Sequence, residues 1–271
     1  MSQVENKKGN NMANEQNIPR LTLAKSFKKY FTVEFADTLA MQQKIYHIRY
    51  NVYCKEFGYE SIESYPNEME TDEYDDKALH CLITHKSSRI PAACVRLVPA
   101  VNHGHTISLP FEKHCNESID SDFINQMNLD PETKCEISRL AVSELFRKRP
   151  GETLTRFGAV NLEFSKEEQR TFLMIAVAAF LAATALTELS EKTNVFAMME
   201  PFLPRLLKRS GILFQRAGKD IDYRGVRAPY FITTQSALDN MRPELLELYH
   251  WIYQQIEHSY PKPFPAEIVN N

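Results

Sequence analysis

The sequence predicts an α/β protein built around one large domain. Segments with the alternating pattern of strands and segments with helical spacing follow one another along most of the 271 residues. Residues 171–187 form a run of 17 residues without a charged side chain, which favours a helix buried against a sheet. The composition, 43% hydrophobic and 25% charged, is ordinary for a globular chain and provides enough apolar surface for a core.

Composition and cysteine usage exclude some classes of function. The formal net charge is −3, so the chain has no basic field of the kind that binds nucleic acid. The five cysteines include no C-x-x-C pair and lie largely in strand-like runs, which is typical of reduced thiols and predicts a cytoplasmic protein. The residues His103, His105, His114 and Cys115 match no familiar zinc spacing, so no metal site is expected.

Three regions are predicted along the chain. Residues 1–28 are polar and lack the apolar segment of a secretory signal, so they are expected to form a disordered tail. Residues 29–235 form the domain, and residues 236–271 form a C-terminal helix and a Pro-rich tail that pack on it or extend it. The uncharged run at 171–187 is at the short limit for a bilayer span. We therefore interpret it as a buried helix and expect no transmembrane segment, while association with a membrane surface stays open.

Periodicity and capping residues predict the secondary structure. Residues 31–36 alternate like a strand, and Asp37 and Thr38 can cap a helix that runs to about Phe57 and ends at Gly58. The remaining predicted elements are a hairpin of strands at 78–85 and 90–98, an irregular segment at 101–133, a strand at 134–142, helices at 166–189 and 201–211, strands at 194–199, 213–217 and 230–234, and a helix from Asn240 to about His258.

Charged residues occur inside two strands that otherwise look like core. Arg96 interrupts the second strand of the hairpin, and a buried guanidinium requires a carboxylate or phosphate partner. The loop at 60–77 is rich in acids and could supply that partner. Glu136 and Arg139 are three residues apart in the next strand, so they point to opposite faces and could pair directly only across a β-bulge. An edge strand with solvated charges, or a structural ion pair, is the alternative.

Four short motifs, taken together, resemble those of a known family. They are R-x-x-V-Y at 49–53, E-x-D-x-x-D at 70–75, R-L-x-P at 96–99 and E-I-S-R at 136–139. In this order and spacing the chain resembles the acyl-homoserine lactone synthases and the related N-acyl amino acid synthases, including the PEP-CTERM/exosortase-associated acyltransferases. The resemblance covers roughly residues 31–234. It implies the GNAT fold, a mixed central sheet flanked by helices, here with an extra C-terminal helix.

The same resemblance implies an activity and roles for particular residues. A long-chain fatty acyl group would pass from acyl carrier protein or acyl-CoA to the amine of a small acceptor, such as an amino acid. Glu136 would be the general base, directly or through a water, and the backbone amide of Leu140 or Ala141 would stabilise the oxyanion. The only cofactor chemistry implied is the donor's phosphopantetheine. The implied ion-pair network consists of Arg49, Asp72, Asp75, Arg96 and Arg139, and the implied contacts to the acyl chain or pantetheine are Tyr53, Tyr59, Leu140, Ala141 and Val142.

Two departures from the family pattern bear on the substrates. The lactone synthases carry a tryptophan where this chain has Tyr59, which weakens the case for a lactone product made with S-adenosylmethionine. The segment 143–151 lacks the Gly-rich loop that binds a pyrophosphate, which argues for a carrier-protein donor. The basic residues Arg147, Lys148 and Arg149 offer a docking site for that acidic partner, the other interpretation being a solvated basic loop. A non-catalytic acyl-binding module is the remaining alternative.

Overall fold

Ten strands and eight α-helices occur in the described residues, 22–102, 104–147 and 164–261 of a computed structural model. The strands are β1 (Phe31–Phe35), β2 (Leu79–His85), β3 (Pro91–Pro99), β4 (Val101–Asn102), β5 (His105–Thr106), β6 (Lys134–Val142), β7 (Asn194–Met199), β8 (Gln215–Arg216), β9 (Ile221–Asp222) and β10 (Val226–Thr233). The helices are α1 (Leu23–Tyr30), α2 (Leu39–Arg49), α3 (Pro110–His114), α4 (Ser121–Gln126), α5 (Lys166–Leu189), α6 (Leu203–Lys208), α7 (Thr234–Asp239) and α8 (Pro243–Ser259). A π-helical segment, Tyr50–Glu56, continues α2 directly.

The central sheet has the strand order β1-β2-β3-β6-β7-β10-β8, with β9 paired to the first residues of β10. Its pairings are antiparallel except for β6 with β7, so the sheet is mixed, as predicted. The parallel ladder joins Lys134–Glu136 to Asn194–Phe196 and has no register beyond Glu136. β6 and β7 therefore separate from Ile137 onward, and this separation positions the candidate site.

α5 covers one face of the sheet. Ser165 and Glu168 form a capping box, in which each side chain accepts a hydrogen bond from the other residue's backbone N–H. Alanines along its buried side let the helix lie close to the strands, and α8 and α1 pack beside it. By length and composition α5 could cross a membrane, yet half of its most apolar stretch is buried inside the protein. This placement agrees with the predicted helix packed on a sheet.

α2 and the π-helical segment cover the opposite face of the sheet. The Thr38 side chain accepts the N-cap hydrogen bond, and Gly58 adopts a φ of 62° after the last turn, which confirms both predicted ends. Ile45, Ile48 and Val52 are buried in a small apolar cluster with residues of β2, β3 and β6. The packing of α2 on this face buries Arg49, the arginine of the first motif, against the sheet.

The predicted N-terminal tail is wrong in its last part. Residues 23–28 belong to α1, in which Ala24 and Phe27 are fully buried and Thr22 is the N-cap. The Phe27 ring stacks on that of Phe31 with centroids 4.9 Å apart. Lysines on the exposed side of this short helix make its composition similar to that of a disordered tail. The sequence pattern therefore did not indicate a helix here. Residues 1–21 lie outside the described part of the chain.

Other differences concern short elements. The segment at 101–133 is not irregular throughout, since it contains β4, β5, α3 and α4. Asn240 caps the C-terminal end of α7, and α8 begins only at Pro243. The predicted strand at 213–217 shortens to β8, whereas β10 begins earlier than predicted. Elements of two to six residues carry little periodic signal. The Pro-rich end after residue 261 lies outside the described residues.

Candidate active site

β6 contains a β-bulge, at the place where a direct pair between Glu136 and Arg139 would require one. Two residues of β6, Arg139 and Leu140, oppose Val95 of β3 alone. Arg139 has a φ of 50°, a left-handed conformation that is uncommon for a residue with a side chain. The extra residue changes the direction of the Arg139 side chain relative to a regular strand.

The Arg139 side chain binds the acidic loop and not Glu136. Its Nε lies 3.1 Å from Glu70 Oε1, and its Nη2 lies 3.0 Å from Asp72 Oδ2. Among the described residues, no hydrogen bond or ion pair joins Arg139 to Glu136. The bulge therefore fixes the loop to the strand and leaves Glu136 free for another role.

Two further guanidiniums hold the same loop. Arg49 donates to both oxygens of Asp75, at 2.6 and 3.0 Å, and its Nε donates to Glu70. The Nη1 of Arg96 donates to Asp72 at 2.6 Å and to Asp75 at 2.9 Å. The expectation that the acidic loop supplies the partner of Arg96 is confirmed.

Charges in this network balance, with three guanidiniums against three carboxylates. Burial alone would raise the pKa of Asp75, but Arg49 and Arg96 outweigh burial and lower that pKa well below its usual range. Burial would also lower the pKa of Arg49, but Glu70 and Asp75 raise it instead. The structure brings together all five residues of the predicted network and adds Glu70.

Glu136 is a buried carboxyl outside this network. It is 3% exposed and lies in β6 between Val98 of β3 and Phe196 of β7. Its Oε2 accepts a hydrogen bond of 2.7 Å from the Phe111 N–H. Burial raises the pKa of Glu136 to about 8, against the opposing effects of that N–H and of two network arginines. Glu136 is therefore mostly protonated at neutral pH and becomes a base as the pH rises past about 8.

The helix that contacts Glu136 was missed by the sequence reasoning. α3 lies in the segment predicted to be irregular, and its first turn places Phe111 beside the carboxyl and stacks that ring on Phe196 at 4.9 Å. The one signal in the sequence was Pro110, because proline is favoured in the first turn of a helix. This helix therefore supplies the one hydrogen bond that the Glu136 carboxyl accepts among the described residues.

Two of the residues expected at the acyl or pantetheine site form an aromatic wall beside the bulge. The Tyr53 hydroxyl donates to the Leu140 carbonyl at 3.0 Å, and burial raises the pKa of Tyr53 to about 12. The Arg139 guanidinium lies over the Tyr53 ring, 5.7 Å from its centroid. Tyr59 lies 6.4 Å from Tyr53, ring to ring, and stacks on Phe57 at 5.2 Å.

The other residues expected at that site contribute differently. The side chains of Ala141 and Val142 are buried in the core on opposite faces of the sheet, so only their backbone is available to a substrate. Arg147 does not project freely, since its Nε donates to the Val142 carbonyl at 2.8 Å and its guanidinium pairs with Glu56. Lys148 and Arg149 lie outside the described residues.

An apolar cleft that the sequence analysis did not identify lies on the α5 face of the sheet. Its cavity volume is about 40 Å³, and it begins at Ile137, the first residue after β6 and β7 separate. Alternation along β6 points Ile137 away from the face that carries Glu136. The feature of the sequence that could have indicated this cleft is the alternation of apolar residues along β7. The cleft is lined by Ile137, Phe180, Ala183, Thr184, Thr187, Val195, Ala197, Ile212, Phe214, Ile232, Thr234 and Ala237.

The histidines and cysteines considered as metal ligands are dispersed. His105 is exposed, Cys115 is buried, and the His114 ring stacks on Tyr223 with centroids 6.0 Å apart. In the part of the chain that the structure describes, no three His, Cys, Asp or Glu residues are arranged to hold a metal ion. His103 lies outside that part.

Comparisons with known proteins agree with this architecture. Residues 48–156 match the family described as an acetyltransferase (GNAT) domain. A search of curated protein sequences finds no significant match. This match covers α2 from Ile48, β2, β3 and β6, so the part of the chain that carries the four motifs is similar to a GNAT domain.

Similar solved structures include two that are described as acyl synthases. TofI, in a ternary complex with an inhibitor and MTA, is 16% identical, covers 79% of this chain and 98% of its own, and has a TM-score of 0.55. BjaI, a CoA-dependent acyl-homoserine lactone synthase with SAM and isopentyl-CoA, is 13% identical over 83% and 89% of the two chains, with a TM-score of 0.51. FeeM, an N-acyl amino acid synthase from uncultured soil microbes, is 9% identical over 79% and 97%, with a TM-score of 0.50. These similarities show that the chain has the fold of these structures.

Proposed function

We propose that the protein is an N-acyltransferase that moves a fatty acyl group from a phosphopantetheine thioester to the amine of a small acceptor, an amino acid. The observation that carries this proposal is the position of Glu136. A buried carboxyl with a pKa of about 8 lies at the last paired residue of the β6–β7 ladder, on the opposite face from an apolar cleft that begins at its neighbour Ile137. A titratable group and an apolar binding space at one opening suit acyl transfer.

The reaction needs one proton acceptor. The amine nitrogen attacks the thioester carbonyl, the tetrahedral intermediate expels the thiolate, and the proton lost by the amine ends on the thiol sulfur. Ionised Glu136 takes the amine's proton and returns it to the leaving sulfur, directly or through a water. Its raised pKa favours both transfers, since a base near the working pH accepts and releases a proton readily.

The oxyanion of the intermediate requires an N–H donor near the bulge. Of the two proposed donors, the backbone of Ala141 already hydrogen-bonds to Cys94. We therefore assign this role to the Leu140 N–H. The carbonyl of the same residue accepts the Tyr53 hydroxyl, which holds the orientation of this part of the strand.

The acyl chain occupies the apolar cleft in this proposal. Its lining residues come mainly from β6, β7, β10 and α5, and in this proposal their side chains move apart to admit a chain that enters at Ile137, with the thioester left beside Glu136. We propose acyl carrier protein as the preferred donor, because the segment 143–151 lacks a glycine-rich phosphate loop. With Arg147 bound by Glu56, Lys148 and Arg149 would provide most of the docking charge.

Reconstitution with defined substrates tests this function. The purified protein is incubated with dodecanoyl carrier protein or dodecanoyl-CoA, together with a mixture of standard amino acids or with S-adenosylmethionine, and products are identified by mass spectrometry. N-acyl amino acids that disappear in Glu136→Gln support the proposal. An acyl-homoserine lactone formed only with S-adenosylmethionine would show the alternative activity. Bound dodecanoyl groups without transfer to any amine would indicate an acyl-binding module and overturn the proposal.

A further inference from the structure

Arg227 on β10 carries a positive charge that no carboxylate in the described residues neutralises. Its Nε is buried and has no hydrogen-bond partner there. The guanidinium carbon lies 5.6 Å from the centroid of the Tyr59 ring, at the aromatic wall beside the bulge. Because a buried N–H without a partner costs free energy, an arginine left in this state is prepared for a ligand.

The side chain of Arg227 lies on the same face of the sheet as Glu136. Glu136 pairs with Phe196 and Phe196 with Phe231, so these residues form a row across β6, β7 and β10. Arg227 precedes Phe231 by four residues, and an even separation keeps both on one face. β10 runs antiparallel to β7, so Arg227 lies toward the end where β6 and β7 have separated.

Tyr223 connects Arg227 to the Glu136 side of the site. The charges of Glu136 and Arg227 both act on its hydroxyl group. Its ring stacks on His114 at the last residue of α3, and the first turn of the same helix provides the Phe111 N–H that binds Glu136. α3 therefore contacts both Glu136, through the Phe111 N–H, and Tyr223, through the His114 ring.

A second arginine nearby, Arg224, differs from Arg227 because it has a carboxylate partner. Arg224 pairs with Glu60, and its guanidinium lies over the Tyr223 ring, 5.0 Å from the centroid. Burial, followed by the charge of Arg227, lowers the pKa of Arg224, so the two cations interact. The three arginines of the network and Arg224 all have carboxylate partners, so Arg227 is the arginine of this region that lacks one among the described residues.

We propose that Arg227, flanked by the rings of Tyr59 and Tyr223, binds the carboxylate of the acceptor. This inference rests on the proposed function and narrows it to acceptors that carry a free carboxylate beside the amine. A carboxylate fits because a guanidinium binds it with two parallel hydrogen bonds and because it would give the buried Arg227 Nε a partner of opposite charge. The two rings would then enclose the rest of the acceptor and favour an apolar or aromatic side chain.

An equilibrium measurement tests the subsite without turnover. The probes are N-dodecanoylphenylalanine and N-dodecanoylphenethylamine, which differ only in the carboxylate, and their dissociation constants are measured by calorimetry. In the wild type we expect the carboxylate to tighten binding roughly 10- to 100-fold, the usual effect of a charged hydrogen bond. Arg227→Gln should abolish this difference, Arg227→Lys should retain part of it, and Arg216→Gln should leave it unchanged, since Arg216 pairs with Asp220 at the surface.

Turnover measurements distinguish two outcomes: that Arg227 does not bind the carboxylate, and that the protein is not an N-acyltransferase. The wild type should acylate phenylalanine well and phenylalanine amide poorly, and Arg227→Gln should raise the KM for phenylalanine while leaving the KM for the acyl donor unchanged. Equal binding of the two probes, or discrimination that survives Arg227→Gln, would overturn the subsite while acyl transfer stands. Failure to bind either probe together with failure to acylate any amine would overturn both.

Discussion

Each oxygen of Asp75 accepts a hydrogen bond from the Arg49 guanidinium, at 2.6 and 3.0 Å, and neither side chain is more than 3% exposed. This pair joins the end of α2 to the acidic loop. Arg96 and Arg139 attach the same loop to β3 and β6. A loop of this acidity would repel itself in isolation, so the three arginines are what makes it a fixed wall of the site.

Removing Arg139 should damage stability as well as activity. Arg139→Ala leaves Glu70 fully buried with one cation fewer and Asp72 with only Arg96, and breaking a buried ion pair costs about 3 to 5 kcal/mol. Urea denaturation measures the loss in the free energy of unfolding. Arg216→Ala, which breaks an exposed pair, is the control and should change it by about 0.5 kcal/mol or less. Unchanged stability and turnover in Arg139→Ala would contradict the role of the network.

Much of this network could be predicted from the sequence, because charges inside apolar strands require partners of opposite charge and the neighbouring loop is rich in carboxylates. The bulge could be anticipated from the spacing of Glu136 and Arg139, but its effect could not. A sequence does not show that Arg139 turns toward Glu70 and that Glu136 instead receives the Phe111 N–H. Arg227 was not identified from the sequence, because its position beside Tyr59 comes from the packing of β10 against the loop after the π-helical segment.

Carrier-protein docking should depend on the basic segment after β6. Reversing the charges of Lys148 and Arg149 should raise the KM for dodecanoyl carrier protein with little change in kcat, and the effect should shrink as salt screens the charges. Arg216→Glu is the matched charge reversal elsewhere on the surface and should have little effect. Steady-state kinetics at low and high salt measure both. This docking site would be ruled out if dodecanoyl-CoA were used as efficiently as dodecanoyl carrier protein and if the charge reversal left the KM for the carrier protein unchanged.

Filling the apolar cleft should shorten the preferred acyl chain. Ala183 is 3% exposed and lines the cleft, so Ala183→Leu removes space that a long chain would occupy. We expect kcat/KM to fall roughly tenfold or more for a hexadecanoyl donor and to change little for an octanoyl donor, since each buried methylene contributes about 0.8 kcal/mol. Ala176→Leu, on the exposed side of α5, is the control. A uniform loss at all chain lengths would point to misfolding or to a different acyl site.

The raised pKa of Glu136 should appear in the pH dependence of stability. The carboxyl is protonated in the fold up to a pKa of about 8 but ionises near 4.5 in the unfolded chain. Its contribution is therefore complete below pH 4.5 and is lost as the pH rises from 4.5 to about 8, by roughly 5 kcal/mol in total. Glu136→Gln cannot ionise, so its free energy of unfolding should fall less between pH 5 and pH 9 than that of the wild type. Parallel profiles would mean that Glu136 is ionised in the fold at neutral pH.

Catalysis should depend on the same ionisation. Wild-type turnover should rise with pH until Glu136 is ionised, at about pH 8, and then level off. Glu136→Gln should keep its fold and its acyl binding but lose roughly a hundredfold in kcat near pH 8, the usual effect of one general base. An α-ammonium group has a pKa of about 8, so at higher pH the amine deprotonates without help and the variant should recover part of the loss. Single-turnover rates measured from pH 6.5 to 10 follow both enzymes. A loss of the same size at every pH would make Glu136 a positioning residue, and near-normal turnover of the variant at pH 7 would remove it from the mechanism.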